Sequence, residues 1–214
     1  ATLAAGPIMT DIVFPARLKS LGNNVFAGCK NLRRVIMLKN GIVSISGTSF
    51  AEVNADMIIL VRTNRLEGLK SATGWSGIST KLFGYTAANT ETFGELSVYY
   101  DGTVLRGVAG NPSDTPIVLR EGTTEIARDA FNQCKWLTDL SFLTPSVTSI
   151  GLRAFGWTGL IGDVDLSALI ELTLVDNGAF RGAAIESITL PSSVATLGVN
   201  VFNECTSLLA ITFT

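Results

Sequence analysis

Apolar residues recur along this chain in a fixed phase. Aligned on phenylalanine, six windows superpose, at Phe26, Phe50, Phe131, Phe155, Phe180 and Phe202. Eight residues before the Phe stand Leu18, Ile42, Thr123, Val147, Leu172 and Val194, and five before stand Leu21, Ile45, Ile126, Ile150, Val175 and Leu197. Three after it are Cys29, Val53, Cys134, Thr158, Ala183 and Cys205. Leu32, Leu137, Ile161 and Leu208 follow at six, and Val35, Ile59, Leu140, Val164 and Ile211 at nine; the Phe180 window uses Ile185 and Ile188 instead. Successive Phe spacings are 24, 81, 24, 25 and 22 residues. A period of roughly 20–29 residues with this skeleton lies in the range of leucine-rich repeats.

Each window reads as one coil. In Leu137–Phe142, Leu140 and Phe142 alternate with Asp139 and Ser141, the period of a half-buried strand. Equivalent strands are expected at Leu32–Met37, Ile161–Leu166, Ile185–Leu190 and Leu208–Phe213. Pro15, Pro145 and Pro191 lie near strand ends, where a missing N–H is tolerated. Gly22, Gly151 and Gly198 permit a tight turn, and the Gly-x-x-x-Phe-x-x-Cys segment after them has room for one or two helical turns, α or 3₁₀. The Phe is the expected plug of each coil. One coil cannot bury its own apolar face, so coils stack and share a core. The cysteines Cys29, Cys134 and Cys205 share one repeat position and read as small apolar filler.

The stretches FPARLKSLGNNVFAGCKNLRRV, LREGTTEIARDAFNQCKWLTDL and LPSSVATLGVNVFNECTSLLAI resemble the repeat of BspA-like bacterial surface leucine-rich-repeat proteins, roughly LPxxVxxIGxxAFxxCxxLxxI. The resemblance covers residues 14–61 and 115–214. The Phe50 window departs from it by lacking Cys and placing Asp56 where Leu is expected, and the Phe155 window carries Thr158 in place of Cys. The resemblance implies an α/β solenoid of coils of about 22–25 residues, each a short parallel strand plus a short helix or 3₁₀ turn. It also implies an extracellular or cell-surface location and adhesion to a host or neighbouring-cell protein, with a glycan as the other ligand class.

Between Phe50 and Phe131 the period lapses. LEGLKSATGWS resembles a segment that closes or interrupts repeat arrays in the same family. Leu66, Leu69 and Ala72 have helical spacing, which predicts a helix over Arg65–Thr73, with Trp75 as a cap on the last coil; the other use of such a Trp is to stack on carbohydrate. The runs on either side of Asp101-Gly102, LSVYY and TVLRGV, predict a hairpin with a type I′ turn. The loop GNPSDTP follows. Three segments result: a first repeat block over 1–76 with its closing helix, a hairpin-bearing insert over 77–114, and a second block over 115–214. One continuous solenoid and two separate blocks both fit this pattern. The marginal stability of a free two-stranded hairpin favours the continuous stack.

Composition narrows the chemistry. The 214 residues are 47% hydrophobic and 16% charged, ample for a core. No apolar run approaches the roughly 20 residues that span a bilayer. The chain starts at Ala1, as expected of a processed or excised polypeptide, and stops after a strand-like run, so the natural protein is expected to continue. There is no histidine, which removes Ser-His-Asp and Cys-His catalysis. Three cysteines without a C-x-x-C pair argue against a zinc site or a disulfide framework. No phosphate-binding Gly-rich motif ending in Gly-Lys-Ser/Thr occurs, so no cofactor is expected. A net charge of −2 offers nucleic acid no basic field. The charge is unevenly placed: residues 1–107 hold 11 Lys/Arg against 7 Asp/Glu, and residues 108–214 hold 5 against 11.

In a solenoid, the outward residues of successive strands form a ladder, the face with which such proteins bind partners. Here it is expected to run Arg34/Ile36, Ile58/Leu60, Asp139/Ser141, Asp163/Asp165, Ser187/Thr189 and Ala210/Thr212. Ligand-binding candidates are Arg33 and Arg34, the hairpin residues Tyr99 and Tyr100, and Asp139, Ser141, Asp163 and Asp165. Neighbouring coils lie about 4.8 Å apart, which would bring Asp139 and Asp163 together, and carboxylates at that distance repel. Solvent, a Ca²⁺ ion or a basic partner would each offset the repulsion. The same trio is the only support for an alternative in which paired carboxylates cleave glycans, which needs one raised pKa and a sugar-sized cleft. A purely structural spacer is the third reading.

Overall fold

The computed structural model describes residues 9–112 and 116–214. Contacts divide the chain into two compact units, Ala1–Asn89 and Thr90–Thr214, each with its own apolar core.

The first unit opens with β1 (Asp11–Phe14), β2 (Ser20–Leu21), β3 (Arg34–Met37), β4 (Ser44–Ile45) and β5 (Ile58–Arg62). A 3₁₀ turn (Thr63–Arg65), helix α1 (Leu66–Ser71) and a second 3₁₀ segment (Ser76–Lys81) lead to β6 (Leu82–Tyr85). Strands β1, β3, β5 and β6 form an all-parallel sheet in that order, and β2 pairs with β4 on another side of the coil. The helix falls within the span that the spacing of Leu66 and Leu69 predicts. Trp75 is fully buried, which rules out carbohydrate stacking. Its ring centroid lies 6.4 Å from that of Phe50, and its indole N–H donates to Val43 O at 2.7 Å. It thus occupies the Phe position of the next coil. Gly74 beside it has φ +85, and a Cβ there would fall 2.1 Å from Ile45 O, so only glycine fits.

The second unit begins with an antiparallel meander of β7 (Thr90–Phe93), β8 (Leu96–Asp101) and β9 (Val104–Ala109). Two-residue strands β10 (Glu125–Ile126), β11 (Ser149–Ile150), β13 (Leu174–Val175) and β15 (Thr196–Leu197) then stack parallel onto β9, one per coil. The hairpin is therefore no appendage: it extends the sheet, and Leu96, Val98, Tyr100, Leu105 and Val108 join the core that holds Phe131. Its turn differs from the expected one. Asp101 pairs with Val104, so the central residues are Gly102 and Thr103, and only Gly102 has positive φ. That is the signature of a type II′ turn rather than I′. A second sheet of the unit contains β12 (Ile161–Asp165), β14 (Ala184–Leu190) and β16 (Ala210–Phe213), all parallel.

Phenylalanine is the plug of the coils, as its period predicts. The rings of Phe131, Phe155, Phe180 and Phe202 stack at 5.5, 5.6 and 5.9 Å with interplanar angles of 16°, 17° and 11°. Phe26 and Phe50 repeat this at 5.3 Å. Hydroxyls fasten coil to coil: Ser49 Oγ donates to Gly22 O, Ser146 Oγ to Thr123 O, Thr148 Oγ1 to Thr124 O and Ser193 Oγ to Leu172 O.

The segment around each Phe is not helical. In five coils the residues two before and two after it take left-handed φ: Asn24 and Gly28, Asp129 and Gln133, Arg153 and Trp157, Gly178 and Gly182, Asn200 and Glu204; in the Phe50 coil only Glu52, two after, does. A residue in that conformation ends a right-handed helix. Every second N–H therefore points at the next coil. Asp129 N donates to Leu152 O, Phe131 N to Ala154 O and Gln133 N to Gly156 O, at 2.8–2.9 Å, and the pattern repeats from Arg153, Phe155 and Trp157. The amides between them close i−3 turns, as Ala130 N to Ala127 O and Cys134 N to Phe131 O do. This side of each coil is a ladder of turns, and it replaces the expected helix.

The three cysteines are buried and none forms a disulfide. Cys205 Sγ donates to Phe180 O at 3.1 Å, and burial pushes its thiol above the ordinary value. The three thiols of the native protein are expected to resist a disulfide reagent at neutral pH and to react together in denaturant. Rapid native labelling, read by absorbance, would remove the filler role.

Candidate functional site

The ladder of outward residues exists on β12, β14 and β16. Asp163 registers with Ser187 and Ala210, and Asp165 with Thr189 and Thr212. Ser187 Oγ donates to Asp163 Oδ1 at 2.5 Å. Asp165 Oδ1 accepts the Ser167 N–H at 2.8 Å, and that bond, then one from the Ser167 side chain, holds its carboxyl below the usual range.

The coil before β12 breaks the ladder. Leu137–Phe142 is not a strand. Asp139 Oδ1 accepts the Ser141 N–H at 2.9 Å and the Ser141 hydroxyl at 2.5 Å, a local turn that competes with extended pairing. Among the described residues, the edge of β12 facing this turn consequently has no strand on it. A depression of about 210 Å³ lies there, lined by Thr138, Asp139, Leu140, Ser141, Asp163, Val164 and Asp165. The structure thus gathers Asp139, Ser141, Asp163 and Asp165 around one hollow. Among the described residues no lysine or arginine is ion-paired with these three carboxylates, whereas Asp11, Glu67, Glu91, Asp101, Asp129 and Glu204 are all so paired.

A second hollow of about 180 Å³ adjoins the first and shares Thr138, Asp139 and Ser141 with it. Its apolar walls are Pro112, Pro116, Ile117, Trp136 and Phe142. Trp136 and Phe142 both lie against Phe131, at 6.3 and 5.5 Å between centroids, so the core holds them in place. Part of GNPSDTP, residues 113–115, lies outside the described residues.

The other candidates are elsewhere. Arg34 is 3% exposed and its Nε donates to Asp11 Oδ1 on the neighbouring strand, so it is a buried ion pair rather than a free anchor. Arg33 is half-buried. Ile36, Ile58 and Leu60, expected on the outward ladder, are buried. Tyr99 and Tyr100 are buried too, against the expectation of exposed anchors. A bulge between them breaks the alternation of β8. The Tyr100 hydroxyl accepts the Arg120 N–H at 3.2 Å, and Arg120 covers its ring at 4.9 Å.

The periodicity gave no sign of a cavity of about 530 Å³ in the first unit, lined by Asn40, Arg62, Thr63, Asn64, Tyr85, Thr86, Ala87 and Ala88. Its polar groups are already occupied. Arg62 sits 5.1 Å over the Tyr85 ring and donates to Leu38 O, Tyr85 Oη donates to Met37 O, and Asn64 donates to Asn40. Arg62 and Tyr85 are register partners on β5 and β6, a one-coil spacing that continues the repeat past Phe50.

For calcium, the expected trio does not converge. No group of three His, Cys, Asp or Glu among the described residues is placed to hold a metal ion. Each carboxylate is turned to a different serine, so the three do not share one ligand position. No helix of the described residues is long and apolar enough to cross a membrane.

A crystal structure of a leucine rich cell surface protein from Faecalibacterium prausnitzii A2-165 aligns with 96% of this chain and 60% of its own, at 16% identity and a TM-score of 0.49. The chain thus spans about 60% of that protein's length. No curated protein matches the sequence. Residues 5–72 and 111–214 match the BspA type leucine rich repeat region in six copies. Together with the stacked coils and their phenylalanine spine, this places the chain in the BspA-type leucine-rich-repeat family.

Proposed function

We propose that this chain is a cell-surface or extracellular module that binds a protein of a host or neighbouring cell, and that it does no chemistry on its partner. The observation that carries the reading is the pair of adjoining hollows beside β12, where core-anchored Trp136 and Phe142 stand next to three carboxylates with no cation of their own. Rigid aromatic anchors rimmed by polar groups are what binding faces use. Family membership points the same way, because solenoids of stacked coils bind through extended faces.

The glycan-cleaving alternative is less well supported. A general acid needs a raised pKa, and the Asp165 carboxyl is held low by the Ser167 N–H. Binding of the purified chain to an array of extracellular matrix proteins and glycans tests the proposal. A saturable protein hit is expected. A blank array, or turnover of an arrayed glycan, would overturn it in favour of a spacer or an enzyme.

A further inference from the structure

We infer that the partner segment recognised beside β12 is an extended basic peptide carrying an apolar side chain near its basic residues. This rests on the binding reading above and specifies the chemistry of its partner. Three observations converge. First, the turn held by Asp139 and Ser141 removes the strand that would cover β12, so main-chain groups of Asp163–Asp165 border an open depression. An extended chain can lie along such an edge and use its main chain for affinity, leaving side chains to select the partner.

Second, the charge there is of one sign. Asp139, Asp163 and Asp165 are exposed, no lysine or arginine among the described residues lines either hollow, and the half of the chain they belong to holds 11 acidic against 5 basic residues. Each carboxylate accepts from a serine and keeps lone pairs for a further donor. A lysine or arginine on the peptide would supply the missing counter-charge, whereas a glutamate would be repelled.

Third, the adjoining hollow is small, with apolar side chains on one wall and Thr138, Asp139 and Ser141 on the other. At about 180 Å³, between Trp136, Phe142 and Pro116, it suits one aliphatic or aromatic side chain and not a second element of structure. Successive coils lie about 4.8 Å apart and alternate residues of an extended peptide about 6.6 Å apart, so one short segment reaches both hollows.

The test uses three fluorescent nine-residue peptides: one with a leucine followed by lysines at alternate positions, one with glutamates for the lysines, and one with alanine for the leucine. Binding to the full chain is read by anisotropy. The leucine–lysine peptide is expected to bind in low salt and to weaken as salt rises to about 0.3 M. Asp163→Asn/Asp165→Asn should raise its Kd by about tenfold. Trp136→Ala, or the alanine peptide, should weaken it by a similar factor, because the anchor is lost. Equal binding of lysine and glutamate peptides, or no binding of either, overturns the inference. Array hits measured with the same variants separate the two claims. A protein hit that survives the Asp163→Asn/Asp165→Asn change leaves the module a binder and sinks the basic-peptide site. An array without hits sinks the broader reading.

Discussion

Replacing Phe155 by alanine is expected to lower the unfolding free energy by about 3–5 kcal/mol in a urea titration. The ring is fully buried between Phe131 and Phe180, nearly parallel to both, at 5.5 and 5.6 Å. Removing it takes an aromatic surface out of two inter-coil contacts at once. The cavity cannot collapse readily, because the Phe155 N–H bond to Ala179 O and the pairing of β11 with β13 hold the two coils at fixed spacing. Phe202→Ala gives the comparison. Phe202 stacks on Phe180 on one side and is half-buried, so about 1–2 kcal/mol is expected. Equal losses at the two positions would mean that the rings do not act as a shared spine.

Asp129→Ala is expected to destabilise by about 3 kcal/mol, read in the same titration. Its carboxylate is 1% exposed as a residue and sits on the turn ladder, where it accepts Arg153 Nε at 3.0 Å, Arg153 Nη2 at 3.1 Å and Asn132 Nδ2 at 2.9 Å. Arg153 belongs to the next coil, so the pair ties two coils together. Alanine leaves a largely buried guanidinium without its counter-charge, and it also tolerates the left-handed φ of +56 less well than aspartate does. Asp129→Asn keeps the shape and the backbone preference, and is expected to lose about half as much. If both substitutions prove neutral, the ion pair contributes nothing to inter-coil register.

The repeat was legible in the sequence because its spine is made of residues of one kind at one spacing. Phe131, Phe155, Phe180 and Phe202 are buried or half-buried where the alignment put them, and the strands around Val164, Ile188 and Ile211 follow from the same frame. The turn ladder was not legible. Its left-handed positions are filled by Asn24, Asp129, Gln133, Arg153, Trp157, Asn200 and Glu204 as well as by glycines, so no single residue type marks them. Asp139 and Ser141 alternate with Leu140 and Phe142 as a strand would, yet their side chains satisfy the local backbone more directly than a neighbouring strand can. Tyr99 and Tyr100 were misplaced for a related reason. Strict alternation exposes one of two adjacent residues, and the bulge between them suspends the alternation.

The one-coil register of the ladders also bears on how quickly the chain can fold. Asp163 pairs with Ser187, Ile150 with Val175, Val35 with Ile59 and Ile59 with Leu82, so the parallel strand pairings join residues about 24 positions apart, and the antiparallel ones in the hairpins are closer still. In a 214-residue chain that is a relative contact order of about 0.1, a value typical of helical bundles rather than of β-sandwiches. Loop closure is paid in equal small steps instead of one long one, so each coil can form against the last, and folding within each unit should propagate from neighbour to neighbour at a rate unusual for a protein built mainly from strands and turns.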